Sequence, residues 1–441
     1  MNTRLFRWLV CLGVLFVFVT VGRAAEATTN EPPVAKPRLP CILLLLADGV
    51  GYGDLGCYGH SSSSTPRIDE LANSGVRFTN FYLGGADFST SMASLFTGAS
   101  GVEGARSKSA DLAQKLKSLG YYTGFIGVWG LGDFDGPNAP QRRGFDDVIV
   151  YGDRDHSRDL YTGYIYRKDH RSGFERKMSL AGNMGLQKKD YLPDLLTEAA
   201  VRFCRYQRPQ QSNANRPFFL VVSYPLPAAA TSRTTQSVEA STLEQERVDA
   251  IEHLDRNIGE IVDSLVKRDI ALNTILIVTS SFGPVNGSGT AEASTSGAGA
   301  LSETRLRVPL IVQWPFWVRS SATSDLLLSG QDLYPTILEA ARFEDLNQVS
   351  ALSFLPAITG QVQTNRHESL GWETSVGSDG TALAVRLEDW KAIRPAGDEH
   401  WQLFDLKNDP KEKINVAEQH PEIIERISTI AAAARKADTP G

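Results

Sequence analysis

Apolar residues in this chain gather in short unbroken runs. Five stand out after residue 40: Cys41–Ala47 (CILLLLA), Tyr122–Trp129, Phe218–Tyr224, Thr274–Ser280 and Pro309–Trp314. Continuous rather than alternating apolarity predicts strands covered on both faces, as in a parallel sheet between layers of helices. Between the runs the period changes. Ser109–Leu119 spaces Leu112, Leu116 and Leu119 at helical intervals. From Leu243 to Val266, the residues Val248, Ile251, Leu254, Ile258, Ile261 and Leu265 step by three and four, the stripe of an amphipathic helix. Strands alternating with helices predict an α/β domain around a mostly parallel central sheet.

The texture changes near residue 351. Ala382–Arg394 and Trp401–Leu406 read as antiparallel strands, and Pro421 suits the first position of a terminal helix, Glu422–Arg435. The expected organisation is a main domain over 40–345 and a smaller α+β C-terminal subdomain over 351–436. Two low-complexity stretches, Gln207–Arg216 and Pro284–Ala300, read as surface loops.

Upstream, Arg4 and Arg7 precede the uncharged apolar stretch Trp8–Gly22, and small residues follow at Ala24, Ala25 and Ala27. This is the pattern of an export signal cleaved after residue 25 or 27. Its apolar stretch is shorter than the roughly 20 residues a membrane-spanning helix needs. The expected location is periplasmic or secreted, with no membrane span after cleavage and a flexible Pro-rich lead-in over 28–39. No basic run points to nucleic acid. The formal charge of -6 favours solubility and works mildly against polyanionic ligands. Cys41, Cys57 and Cys204 would remain after cleavage. An odd count leaves at least one unpaired, and their disulfide state stays open.

Three early words carry a resemblance. Cys41–Gly56 reads CILLLLADGVGYGDLG, Ser64–Tyr82 reads STPRIDELANSGVRFTNFY and Ala86–Gly98 reads ADFSTSMASLFTG. A late word, FDLKNDPKEKINVAEQHPE over Phe404–Glu422, matches as closely. Together they resemble the sulfatase family of the alkaline-phosphatase-like superfamily, from roughly Pro40 to Arg435. The resemblance implies that fold, with a mostly parallel sheet between helix layers and a small C-terminal subdomain. It also implies a site for cleaving sulfate esters. Such chemistry needs a calcium ion held by carboxylates and a formylglycine nucleophile matured from cysteine. It also needs cationic side chains for developing charge and a His or Lys for protons.

Carried over position by position, the scaffold survives and the chemistry does not. The first metal carboxylate is present as Asp48, but its acidic partner is Gly49. The nucleophile position is Phe88, and the arginine that closes that motif is Met92. The family's GKWHLG word appears as Gly127–Gly132 with Val128 for its lysine and Gly130 for its histidine. A further histidine is Ala228, the two late metal ligands are Ser281 and Phe282, and a late lysine aligns with Ala298. The resemblance therefore implies a pseudo-sulfatase with neither calcium nor formylglycine, and a binding or scaffold role toward a sulfated glycan or a protein partner.

The alternative is a weak sulfuric or phosphate ester hydrolase with a non-standard site. Ser89 and Ser91 neighbour the nucleophile position, with Ser89 the candidate nucleophile; both read more simply as the start of a helix, Ser89 as the N-cap of Thr90–Phe96. Asp153, Arg154, Asp155, His156 and Asp159 form a polar cluster of the kind that can bind a cation or act as an acid/base pair, and it reads more simply as a solvated loop. Asp54 reads as a turn residue bonded to backbone. None of the seven histidines falls on a catalytic family position. Gly49, Phe88, Val128, Gly130, Ala228, Ser281 and Phe282 are expected to converge at the C-terminal edge of the sheet, with Phe88 and Phe282 filling the metal pocket.

Overall fold

The computed structural model describes residues 38–60, 63–100, 111–170, 172–206, 216–225, 240–284, 297–315, 317–318, 321–346, 351–377 and 380–437. The segment expected to be an export signal, most of the lead-in, Ala228 and most of both low-complexity loops lie outside them.

Ten strands form the main sheet: β1 (Cys41–Asp48), β2 (Val76–Tyr82), β3 (Tyr122–Gly127), β4 (Asp147–Val150), β5 (Tyr164–Asp169), β6 (Phe174–Ser179), β7 (Phe218–Pro225), β8 (Thr274–Phe282), β9 (Leu310–Gln313) and β10 (Ala322–Ser329). Their order is β10-β2-β9-β8-β1-β7-β3-β4-β5-β6. The centre, β8-β1-β7-β3-β4, is parallel throughout. These strands are the continuous apolar runs, and Ile42 to Leu46 of β1 are almost completely buried. Helices cover the sheet. Helix Leu192–Tyr206 packs on helix Ala240–Val266, whose Ile251, Leu254, Ile258, Ile261 and Leu265 join the core.

Several elements differ from the sequence pattern. β9 runs antiparallel to both β8 and β2; an apolar run reports burial but not direction. β5 and β6 pair antiparallel at the polar edge of the sheet, where half-exposed residues leave no continuous apolar signal. The helix expected over Ser109–Leu119 spans Leu112–Ser118, because Asp111 sits at its N-cap and the Asp111 N–H donates to Gln114 Oε1 at 3.1 Å.

The second sheet is antiparallel and sequential: β11 (Ser369–Ser375), β12 (Thr381–Leu387), β13 (Trp390–Arg394) and β14 (Gln402–Asp405). The terminal helix Pro421–Ala437 buries Ile427 against Val385, Leu387, Ala392 and Leu403. Polar contacts help tie this sheet to the main domain. The Trp372 indole N–H donates to the Leu83 carbonyl at 2.7 Å. The buried Lys391 ammonium pairs with Glu303 at 3.2 Å and Glu412 at 2.9 Å. Cys41, Cys57 and Cys204 are all free thiols. Among the described residues no helix is long and apolar enough to cross a membrane.

Candidate functional site

β1, β3, β7 and β8 are mutually parallel and end at one edge of the sheet, the place where open α/β sheets carry their ligand sites. Asp48 ends β1, and a shift of register after Ala47 sets it opposite Phe282 of β8. Ser280 makes the shift possible. Its hydroxyl donates to the Ala47 carbonyl and lies 2.6 Å from the Phe282 carbonyl. Gly49 turns the chain away at φ 101°, and its N–H donates to the Phe282 carbonyl at 2.8 Å. The left-handed conformation favours glycine there.

Phe88 opens the helix Phe88–Thr97 and is buried. The N-cap of this helix is Asp87, not Ser89. The Thr90 N–H donates to Asp87 Oδ1 at 2.9 Å, and the Ser89 hydroxyl donates to the same oxygen at 2.9 Å. Asp and Ser cap about equally well; here the Asp87 carboxylate is the one that reaches the Thr90 N–H, and its charge also meets the helix dipole. Phe88 and Phe282 pack edge to face, with centroids 6.4 Å apart and planes at 75°. The ring of Phe88 also fills the space beside Gly130. A β-carbon there would fall well inside van der Waals contact of Phe88 Cε1 and Cδ1, and the φ of Gly130 is 73°. Asp48, Gly49, Phe88, Gly130 and Phe282 are thus brought together. Met92 and Val128 lie fully buried in the surrounding core. The Ser281 hydroxyl is buried with no hydrogen-bond partner. Ala298 falls in the short 3-10 turn Gly297–Leu301.

Two cations complete the cluster; the sequence pattern assigned neither of them to this site. Arg154 belongs to the polar loop expected to be solvated. Asp153, Asp155 and Asp159 are indeed exposed, but Arg154 turns inward. Its Nη2 donates to Asp48 Oδ1 at 3.1 Å. Its guanidinium carbon lies 4.4 Å from the Phe88 centroid and 4.6 Å from that of Phe282. The loop holds this geometry through its own bonds. The His156 N–H donates to Asp153 Oδ1 at 2.7 Å, Ser157 Oγ donates to the Arg154 carbonyl at 2.6 Å, and the Gly152 N–H donates to His156 Nδ1 at 2.8 Å. With Nδ1 accepting, Nε2 carries the ring proton and donates to Thr162 Oγ1 at 2.5 Å. Burial pushes the imidazole below its ordinary pKa, which keeps it neutral in this role.

The second cation, Arg305, comes from the helical turn Glu303–Leu306. Its guanidinium carbon sits 4.3 Å from the Phe282 centroid, on a residue only 6% exposed. Burial lowers its pKa, the charge of Arg154 lowers it further, and Asp48 opposes both. Burial likewise raises the Asp48 carboxyl, against the pull of Arg154, Arg158 and Arg305. A search for acids, bases and metal ligands passes over both arginines. The only sequence signal is an extra arginine two residues ahead of the Arg307-Val308-Pro309 word.

This architecture is found in known proteins. The family profile described as Sulfatase matches residues 40–343, and that described as N-sulphoglucosamine sulphohydrolase, C-terminal, matches residues 300–435. The chain is 29% identical to an N-acetylgalactosamine-6-O-sulfatase of Bacteroides thetaiotaomicron, over 89% of this chain and 92% of that protein. It is 26% identical to human arylsulfatase A, over 90% of this chain and 88% of the relative. A solved Bacteroides thetaiotaomicron protein, from work on the metabolism of multiple glycosaminoglycans, superposes with a TM-score of 0.70 at 25% identity, covering 90% of this chain and 100% of that one. A protein solved with its substrate D-glucosamine-2-N,6-O-disulfate shares the fold at a TM-score of 0.71 and 18% identity, covering 90% of this chain and 98% of that one. The parallel sheet ending at Asp48, the small antiparallel sheet behind it and a family match over more than half of the chain agree: this protein belongs to the sulfatase family.

Proposed function

We propose that this chain is an exported, non-catalytic sulfatase-family protein that binds a ligand at the C-terminal edge of its large sheet. One observation carries the reading. The retained carboxylate, Asp48, is hydrogen-bonded to the chain's own guanidinium, Arg154, and that guanidinium lies over the two phenylalanines at family positions for the nucleophile and a metal ligand.

The residues present do not fit the family's cofactors. Calcium takes roughly six to eight oxygen ligands. Gly49 offers no side chain, Phe282 offers a hydrocarbon ring, and Asp48 already faces a cation. Among the described residues no group of three or more His, Cys, Asp or Glu is placed to share a metal ion. Formylglycine cannot arise from Phe88, which has no sulfur to oxidise. Proton transfer lacks a carrier as well, since Val128 and Gly130 have no ionisable group. Losing one member of a catalytic unit already lowers rate by orders of magnitude. The fold does not require the missing charges, because apolar groups that replace buried ions are often neutral or stabilising.

The kinship with an N-acetylgalactosamine-6-O-sulfatase supports a sulfated sugar as the ligand class. A sulfated glycan, held without being cleaved, is the ligand this reading favours over a protein partner. Export rests on the signal pattern of residues 1–27. The hydrolase alternative gains no support from Ser89, whose exposed hydroxyl donates to the capping carboxylate Asp87 rather than to a base within the cluster.

Metal analysis of the purified protein, run beside aryl sulfate and aryl phosphate assays, tests the reading. The expected result is no stoichiometric divalent ion and no turnover. One calcium per chain, lost in Asp48→Ala, would overturn it. Turnover abolished by Ser89→Ala would establish the hydrolase instead.

A further inference from the structure

The cluster at the sheet edge carries unbalanced charge. Two guanidiniums, Arg154 and Arg305, face one carboxylate, Asp48. Arg154 has that carboxylate as its partner. Arg305 has no ion pair among the described residues, and its Nε is buried without a hydrogen-bond partner. Its described contact is the face of Phe282. A guanidinium carries five N–H donors in a fixed fork, and burying it unpaired is costly. An aromatic face supplies only part of the compensation. Among the described residues the buried Lys391 has two carboxylates within 3.2 Å, whereas Arg386, like Arg305, is buried with guanidinium nitrogens that have no hydrogen-bond partner. What sets Arg305 apart is its place at the edge of the sheet, over the Phe282 ring, where its charge meets those of Arg154 and Asp48.

We infer that Arg305 and Arg154 together form a binding site for a single oxyanion group, a sulfate, phosphate or carboxylate borne by a ligand that is held and not cleaved. The inference rests on the reading of this edge as a non-catalytic binding cleft, and it deepens that reading by naming the groups that recognise the ligand. Neither arginine occupies a family position carried over above, so the site belongs to this chain. Exposure differs among the three: the Arg154 side chain is 32% exposed and Asp48 12%, while Arg305 is 6% exposed. Arg154 therefore meets an incoming group first, and Arg305 supplies the buried charge. The planar fork of arginine matches an oxyanion through paired N–H donors. The rings of Phe88 and Phe282 limit the competition from water that weakens such pairs at a surface.

The test is a thermal-shift and calorimetric titration of the mature protein with sodium sulfate, sodium phosphate and sodium acetate. Sodium chloride at matched ionic strength is the control, and a non-hydrolysed aryl sulfate is a further arm. The wild type is expected to show a saturable stabilisation by at least one oxyanion beyond the chloride control. The strongest of the three identifies the group. A response no larger than that of chloride overturns the proposal. Arg305→Gln is expected to weaken binding by about 10- to 100-fold, the loss of a charge-assisted contact. Arg305→Met adds a readout that does not depend on a failed fold. In oxyanion-free buffer it should melt at or above the wild-type temperature, because an unpaired buried charge has been removed. At saturating oxyanion the order should reverse. A variant that binds as tightly as wild type, or melts lower in both buffers, overturns the assignment of Arg305. Aryl sulfate turnover would instead overturn the non-catalytic reading, so the two failures are distinguishable.

Discussion

Gly130→Ala tests whether the Phe88 ring occupies the space beside Gly130 that a larger residue would need. Two costs add. Gly130 has φ 73°, and a side chain in the left-handed region costs roughly 1–2 kcal/mol. The new methyl would also overlap Cε1 and Cδ1 of Phe88, and overpacking a tight core costs roughly 1–3 kcal/mol. The expected loss is therefore about 2–5 kcal/mol, read as a lower urea midpoint at unchanged m in tryptophan-monitored unfolding. Phe88→Ala by itself should cost about 3–5 kcal/mol for the cavity it leaves. The double variant separates the two terms. With the ring gone, the overlap vanishes and only the backbone cost of alanine remains. The pair should then fall short of the sum of the single effects by about 1–3 kcal/mol. Additivity within about 0.5 kcal/mol would refute the packing of Phe88 against Gly130, and with it the account of how the cleft is filled.

Three further outcomes follow from particular contacts. Lys391→Met should destabilise the protein by about 3–5 kcal/mol in urea unfolding, because Glu303 and Glu412 would remain buried without their cation; an unchanged midpoint would contradict that pairing. Burial pushes the Asp111 carboxyl up to about 6 against the pull of Arg143, above the roughly 3.9 of an unfolded aspartate. The folded state therefore holds this proton longer, and the stability it gives is complete below about pH 4 and lost as pH rises through about 6; Asp111→Asn should remove that fall from the pH profile of unfolding. Phe88→Cys, coexpressed with a formylglycine-generating enzyme, should give no aryl sulfate turnover, since Gly49, Val128 and Gly130 still lack ligand, cation and proton carrier; measurable turnover would show that the remaining site is competent.

Much of the fold is legible in the chain before any coordinate is seen. The apolar runs at Cys41, Tyr122, Phe218 and Thr274 are the central parallel strands, because a strand covered on both faces has no solvent side and its few polar positions are small hydroxyls. The three-and-four stepping from Val248 to Leu265 is the long helix, because one stripe must face the sheet. Asp48 and the GYGDLG word reveal kinship, and Gly49 marks the turn after β1, because its positive φ favours glycine. Each of these is a local requirement, imposed by a residue's own neighbours in sequence and by burial alone.

What the tertiary structure decided depends on groups far apart in the chain. The direction of β9 is set by its partners β2 and β8, and hydrophobicity has no sign for direction. Arg154 reads as one charge in a polar loop until the fold brings it to Asp48, 106 residues away. Arg305 reads as one basic residue beside another until its helical turn buries it against Phe282. Charge in a sequence counts only as solvated or not. Whether a guanidinium ends in water, over a ring or against a carboxylate is settled by packing, and at this edge of the sheet packing placed two cations around the single acid the chain retained.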